Sequence, residues 1–169
     1  MDDTLLRELA DKQAIRDLVL TYCRAVDRID VPLGHSIWHD DGDADYGADY
    51  YQGPGKGVID TICGHHAGLT SHSHQVSNIL IALDGDKAGS ESYVNGTMRM
   101  ARDGKTMHLE VYGRYLDRWE RRDGRWGLVH RVVVMDHTGI REVTPMPTHG
   151  ATPTHDRNDP SYAALEWFR

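Results

Sequence analysis

Apolar side chains at Ile15, Leu18, Val19, Tyr22 and Val26 recur three or four residues apart, the spacing that lays them along one stripe of a helix. Asp17, Thr21, Arg24 and Arg28 form the wet row of the same segment. Asp27 instead continues the row of Leu20 and Cys23, so the helix turns a carboxylate toward the protein. A shorter segment with Leu5, Leu6 and Leu9 comes before, and Asp11 suits an N-cap, so the pattern predicts two helices or one broken helix. Residues 40–51 are mixed and predict one short strand. The stretch "GPGKGVIDTICGHHAGL" after them fits a helix started by glycine.

From Thr70 the pattern changes to long strand-like runs, "SHSHQVSNILIAL", "AGSESYVNGTMRMA", "KTMHLEVYGRYLDRWER" and "RWGLVHRVVVMDHT". Asp84-Gly85, Asp103-Gly104 and Asp123-Gly124 lie between them, and Asp-Gly suits tight hairpins because both residues tolerate positive φ. Strands this long must twist and coil. Helices followed by such a meander predict an α+β domain, a cone-shaped curved antiparallel β-sheet wrapped around the N-terminal helices with a pocket inside. We place this domain at residues 1–140. Residues 141–169 read as a loop rich in Pro, Thr, His and Asp, then a short helix from "DPSYAALEWF", packing on the same domain or a neighbouring subunit. Trp167 and Phe168 would cover the pocket mouth or that neighbour.

Charge narrows the partners. Among 169 residues, 26 acidic side chains outnumber 19 basic ones, with no basic stripe, so nucleic acid is not an expected partner. No apolar run approaches a membrane span and the segment before Asp11 is too polar for a signal peptide, so no membrane association and a cytoplasmic location are expected. Cys23 and Cys63 read as reduced packing residues.

The candidate chemistry starts from "SHSH" at the head of the first long strand, where His72 and His74 share a face and one or both could look into the cone. A carboxylate such as Asp27 beside an imidazole would fix its tautomer and leave the other ring nitrogen as a base. Capping the next turn or pairing with Arg24 or Arg28 would also explain Asp27. Tyr22 could donate to a leaving group or a carbonyl, or simply pack in the core. Arg131 could stabilise developing negative charge, or brace the sheet as half of an ion pair. Tyr50, Tyr112 and His72 are candidates for substrate contact, although a slip of one residue reverses the face of any strand residue and leaves Tyr51 and Tyr115 equally open.

No metal site is expected. The histidines 65, 66, 72 and 74 match no standard zinc spacing, and the calcium-like run from Asp41 carries Tyr46 in place of its turn glycine and Gln52 in place of its terminal glutamate. No dinucleotide, phosphate or nucleophile-elbow fingerprint appears, so no cofactor is expected.

Three stretches, "AIRDLVLTYCRAVDRID", "HQVSNILIALDGDKA" and "YLDRWERRDGRWGLVHRVVVMD", together resemble the SnoaL-like branch of the nuclear transport factor 2-like superfamily over roughly residues 5–136. Within it the chain looks like the group of scytalone dehydratase, hexachlorocyclohexane dehydrochlorinase and bile-acid 7α-dehydratase. The resemblance implies a homotrimer or homodimer, and a cofactor-independent lyase acting on a small hydrophobic cyclic substrate such as a steroid, terpenoid or aromatic-pathway intermediate. It also implies that Asp27 and His74 are the catalytic dyad, with His72 as a substitute for His74, Tyr22 assisting and Arg131 stabilising charge. An isomerase or cyclase using the same base, or a non-catalytic binding or subunit domain, is the competing reading on this fold.

Overall fold

A computed structural model describes residues 3–166 of the protein. The chain opens with α1 (Asp3–Arg28) and α2 (Val31–His35), continues through β1 (Trp38–Asp45), β2 (Gln52–Pro54) and α3 (Gly55–His66), and then runs up and down as β3 (Ser71–Asp84), β4 (Lys87–Arg102), β5 (Lys105–Arg122) and β6 (Arg125–Val143). The short α4 (Pro160–Glu166) comes last. No described helix is long and apolar enough to cross a membrane.

The six strands form one sheet in the order β2-β1-β6-β5-β4-β3. The meander is antiparallel as expected, but β1 pairs with β6 in parallel, so the sheet is mixed. The parallel pair is joined by a long crossover, since β2, α3 and the strands β3, β4 and β5 lie between β1 and β6 in the chain. At Asp103-Gly104 and Asp123-Gly124 both turn residues have positive φ. In the first hairpin Asp84 instead pairs with Lys87, so the turn itself is Gly85-Asp86 and only the glycine takes positive φ.

Two expectations for α1 change. Asp11 does not cap a second helix. It sits inside one continuous helix, where its carboxylate accepts from Arg121 Nη1 at 2.6 Å and Trp126 Nε1 at 2.9 Å. A mid-helix carboxylate with two donors from the sheet has no need of a helix terminus. Leu20 is half exposed rather than inward, while Cys23 on the same row is buried.

The core lies between one face of the sheet and the helices. Ile15, Val19, Tyr22 and Val26 of α1 meet Val58, Ile59 and Ile62 of α3, and Trp38, Tyr115, Trp119, Trp126 and Leu128 of the strands. Residues 113, 115, 117 and 119 of β5 alternate as its buried set, the period of a strand with one covered face. Strand β6 runs to Val143, past residue 140. Beyond it, the tail returns to the end of α1, where Tyr162 Oη donates to Asp30 at 2.8 Å and Arg24 Nη1 to Ser161 Oγ at 3.0 Å. The positions of Trp167 and Phe168 lie outside the described residues.

Candidate active site

Asp27 stands on the last turn of α1 and His74 near the start of β3, and the helix packs across that strand. His74 donates twice to the one carboxylate, from ring Nδ1 to Oδ1 at 2.7 Å and from its backbone N–H to Oδ2 at 3.0 Å. The ring and the carboxyl are each largely buried, at 10% and 13% exposure, so little water competes for these bonds. With Nδ1–H committed to Asp27, Nε2 carries the free lone pair. Across the ladder His74 faces Gly96, and a methyl group there would come within 3.5 Å of Nε2. The missing side chain leaves room beside the free nitrogen.

His74 and Gly96 are both wall residues of a cavity of about 390 Å³. Most of the wall is apolar, including Ile62, Leu69, Val94, Met98, Leu109 and Val133. The polar groups are Tyr22, Tyr46, Tyr50, Tyr115, His65 and His66 besides His74, and among the described residues no lysine, arginine or carboxylate lines the wall. Such a lining suits a neutral ligand of modest size.

Tyr22 lies in the wall, as does Tyr46, which the sequence did not single out. Their hydroxyls meet at 2.6 Å. Burial, with the neighbouring phenols Tyr46 and Tyr115, pushes Tyr22 well above its ordinary value, so it stays a protonated donor. Burial also raises Tyr46, but the Arg131 charge pulls against it.

Arg131 itself does not line the cavity. It is fully buried, gives Nε and Nη2 to both oxygens of Asp117 at 2.7 and 2.8 Å, and is flanked by the rings of Tyr22 and Tyr115 at 4.2 and 4.0 Å. Of the two roles open to it, the ion pair that braces the sheet is the one its contacts form, and its charge can reach a ligand only through the tyrosines. Proximity to Asp117 keeps it charged despite burial.

Of the substrate-contact candidates, Tyr50 stands half exposed in the cavity wall, with its hydroxyl 3.3 Å from His65 Nδ1. Tyr112 is a correction. Strand alternation gives Val111 and Tyr115 the inner face and turns Tyr112 outward, where it stacks on His137 at 4.3 Å. His72 is a second one. It shares the inward face of His74 but is sealed behind it, with Nε2 donating to the Val26 carbonyl at 3.2 Å. His66 also borders the cavity and gives Nδ1–H to that carbonyl; burial and the nearby His72 push it down to about 4. Among the described residues no three His, Cys, Asp or Glu side chains converge as metal ligands. The calcium-like loop is pulled apart by protein partners: Asp41 holds Arg122, Asp43 holds His130, and Asp45 accepts from Gly47 and Gln52.

The sequence profile of the SnoaL-like domain matches residues 7–132. The chain belongs to the SnoaL-like family. Solved structures agree on the fold of this family member. Hexachlorocyclohexane dehydrochlorinase LinA-type3 from Novosphingobium barchaimii superposes with a TM-score of 0.68 at 21% identity, covering 88% of this chain and 99% of that one. A candidate scytalone dehydratase from Novosphingobium aromaticivorans gives 0.69 at 22% identity, over 89% and 100%. An NTF2-like protein with a cystatin-like fold from the same organism gives 0.62 at 20% identity, over 80% and 92%. No curated protein matches the chain in sequence.

Proposed function

We propose that this SnoaL-like protein is a cofactor-independent lyase of dehydratase or dehydrohalogenase type acting on a neutral, largely apolar cyclic molecule. The observation that carries the reading is the doubly bonded Asp27–His74 pair, whose His74 stands in the wall of a largely apolar cavity. In the reaction His74 Nε2 takes a proton from a carbon next to an activating carbonyl. The C–H electron pair forms the new double bond, and hydroxide or halide leaves with its own bonding pair. A departing hydroxide takes the proton back from the imidazolium and exits as water, whereas a departing halide exits as the anion and the imidazolium gives its proton to solvent water, so either route restores neutral His74. Asp27 stabilises the transient imidazolium.

Tyr22 and Tyr46 complete the site. Whichever hydroxyl accepts within the pair keeps its own proton free to bond a substrate oxygen, and the buried Arg131 favours negative charge building up there. The same pair would hold an enolate in an isomerisation, so that reading stays as the alternative, and the two differ in product mass. The outward Tyr93 and Tyr112, exposed beside His137 on the other face of the sheet, support the homo-oligomer included in the reading.

The test is to incubate the protein with a panel of hydroxylated and halogenated cyclic ketones and follow product mass. Loss of water or hydrogen halide by wild type, reduced at least about a hundredfold in His74→Ala and Asp27→Asn, is the expected result. Product of unchanged mass selects the isomerase. Turnover that His74→Ala leaves intact would sink both.

A further inference from the structure

Helix α1 ends in a turn that its own residues hold poorly. Ile29, just beyond it, has φ of +52°, a left-handed conformation that a β-branched residue rarely adopts, and the Asp30 N–H closes back on the Ala25 carbonyl at 2.9 Å. The carbonyls of Val26 and Asp27 belong to the set that a helix end leaves without partners in the helix. They are met by imidazoles. His66 Nδ1 and His72 Nε2 both donate to Val26 O at 3.2 Å, and His155 Nδ1 donates to Asp27 O at 3.1 Å, beside Arg28 Nη1 at 3.2 Å.

These rings form a file that begins at the cavity. His74 and His66 lie with centroids 5.4 Å apart, His66 and His72 4.3 Å at a tilt of 39°, and His72 and His155 4.3 Å with their planes 13° from parallel. A carbonyl only accepts, so one N–H of each of the three outer rings is spent on the helix. His72 Nδ1 is left buried with no hydrogen-bond partner among the described residues. Where two ring nitrogens of the file meet, at Val26 O, a backbone carbonyl already stands, and no three metal-ligating side chains converge among the described residues, so the file suits support better than ligation.

The outermost ring comes from the tail, 128 positions from Asp27 in sequence. The tail is clamped to the same helix end, with Asp159 against Arg28 at 3.3 Å and Arg157 against Asp30 at 3.3 Å.

We propose that His155 is a positioning residue for the Asp27–His74 pair, an inference that rests on the dyad reading above. By holding the Asp27 carbonyl and closing the outer face of His72, it fixes the strained turn so that both carboxylate oxygens meet the two N–H groups of His74. Small displacements of a supporting group are costly to reacting geometry.

The test needs no substrate. In the full chain, the ring proton on His74 Nδ1 and the ring nitrogen shifts of His74 are recorded by NMR at fixed pH in wild type and in Asp27→Asn, His155→Ala, His155→Asn and Arg157→Ala. The far-downfield Nδ1–H signal expected of the wild-type pair should move upfield or vanish in Asp27→Asn and in His155→Ala. His155→Asn, whose side-chain amide can stand where Nδ1–H stood, should restore it. Arg157→Ala removes a different tail contact and should leave it in place. A wild-type signal in His155→Ala, or an equal change in Arg157→Ala, overturns the positioning role while leaving the dyad. A signal that Asp27→Asn does not touch overturns the dyad and this inference with it.

Discussion

Lowering the pH from 8 to 4.5 should cost the fold about 2–3 kcal/mol through His66 alone. This ring is almost wholly buried and gives its Nδ1–H to Val26 O, with His72, His74 and the Asp27 carboxylate as its ionisable neighbours. Burial, then repulsion from His72, lowers it from an ordinary 6.5 to about 4. The folded protein therefore keeps His66 neutral where the unfolded chain has already protonated it. The unfolded state binds more protons between those two values, so stability is complete above about pH 6.5 and falls as pH drops toward 4. At about 1.36 kcal/mol per pH unit for one proton, the whole interval bounds the loss at about 3 kcal/mol. His72 is shifted in the same direction by burial and adds to the wild-type loss. The comparison is therefore with His66→Asn, which can keep a donor on the Val26 carbonyl but does not titrate. Guanidinium unfolding at pH intervals from 8 to 4.5 gives both free energies. Their difference should be flat above pH 7 and shift against wild type by about 2–3 kcal/mol at pH 4.5. Parallel profiles would refute the argument.

Three further outcomes follow from buried contacts. Asp117→Asn leaves Arg131 charged and sealed without its counter-ion and should cost about 3–5 kcal/mol in chemical denaturation. Gly55→Ala would set a methyl carbon 2.0 Å from Trp38 Cε3, and because that indole is fully packed, thermal unfolding should show a loss of about 3 kcal/mol. Burial holds the Cys23 and Cys63 thiols up at about 12 and about 11, so iodoacetamide at pH 8 should label them only after denaturant is added, as read by mass spectrometry.

The sequence carried the parts of this fold that are set locally. Apolar spacing marked α1, a glycine start marked α3, and Asp-Gly pairs marked the three hairpins, because helix period and turn conformation are properties of a few adjacent residues. Asp27 was readable for a related reason, since a carboxylate on an inward row is an anomaly of position, whereas the head of β3 offered His72 and His74 alike and only the family resemblance favoured His74. What stayed hidden depends on partners distant in the chain. Asp11 looked like a cap because its two donors come from Arg121 and Trp126. The parallel pairing of β1 leaves no local mark. Tyr46 looked like a defect in an acidic loop, and only the fold brings its hydroxyl to Tyr22. His155 sits in a segment whose composition reads as plain loop. Tyr112 and Tyr115 differ only in strand parity, which a one-residue uncertainty erases.

Two features of the structure oppose stability, a buried ion pair and a strained turn. A buried ion pair such as Arg131–Asp117 is often no more stable than apolar residues of equal volume, so packing alone gives little reason for a guanidinium in this core. Ile29 likewise holds a backbone conformation that glycine would adopt more easily. Strain and buried charge persist where surrounding contacts over-determine them, and here those contacts lead to the same groups. The guanidinium is flanked by Tyr22 and Tyr115 and sets the charge felt by Tyr46, while the strained turn carries Asp27 to His74. If the ion pair serves the tyrosines rather than the fold, replacing both partners, Arg131→Met with Asp117→Leu, should recover most of the stability lost in Asp117→Asn while leaving Tyr46 without its cation. Stability and the acidity of the tyrosine pair would then move apart, and a double variant as unstable as the single one would return Arg131 to a purely structural role.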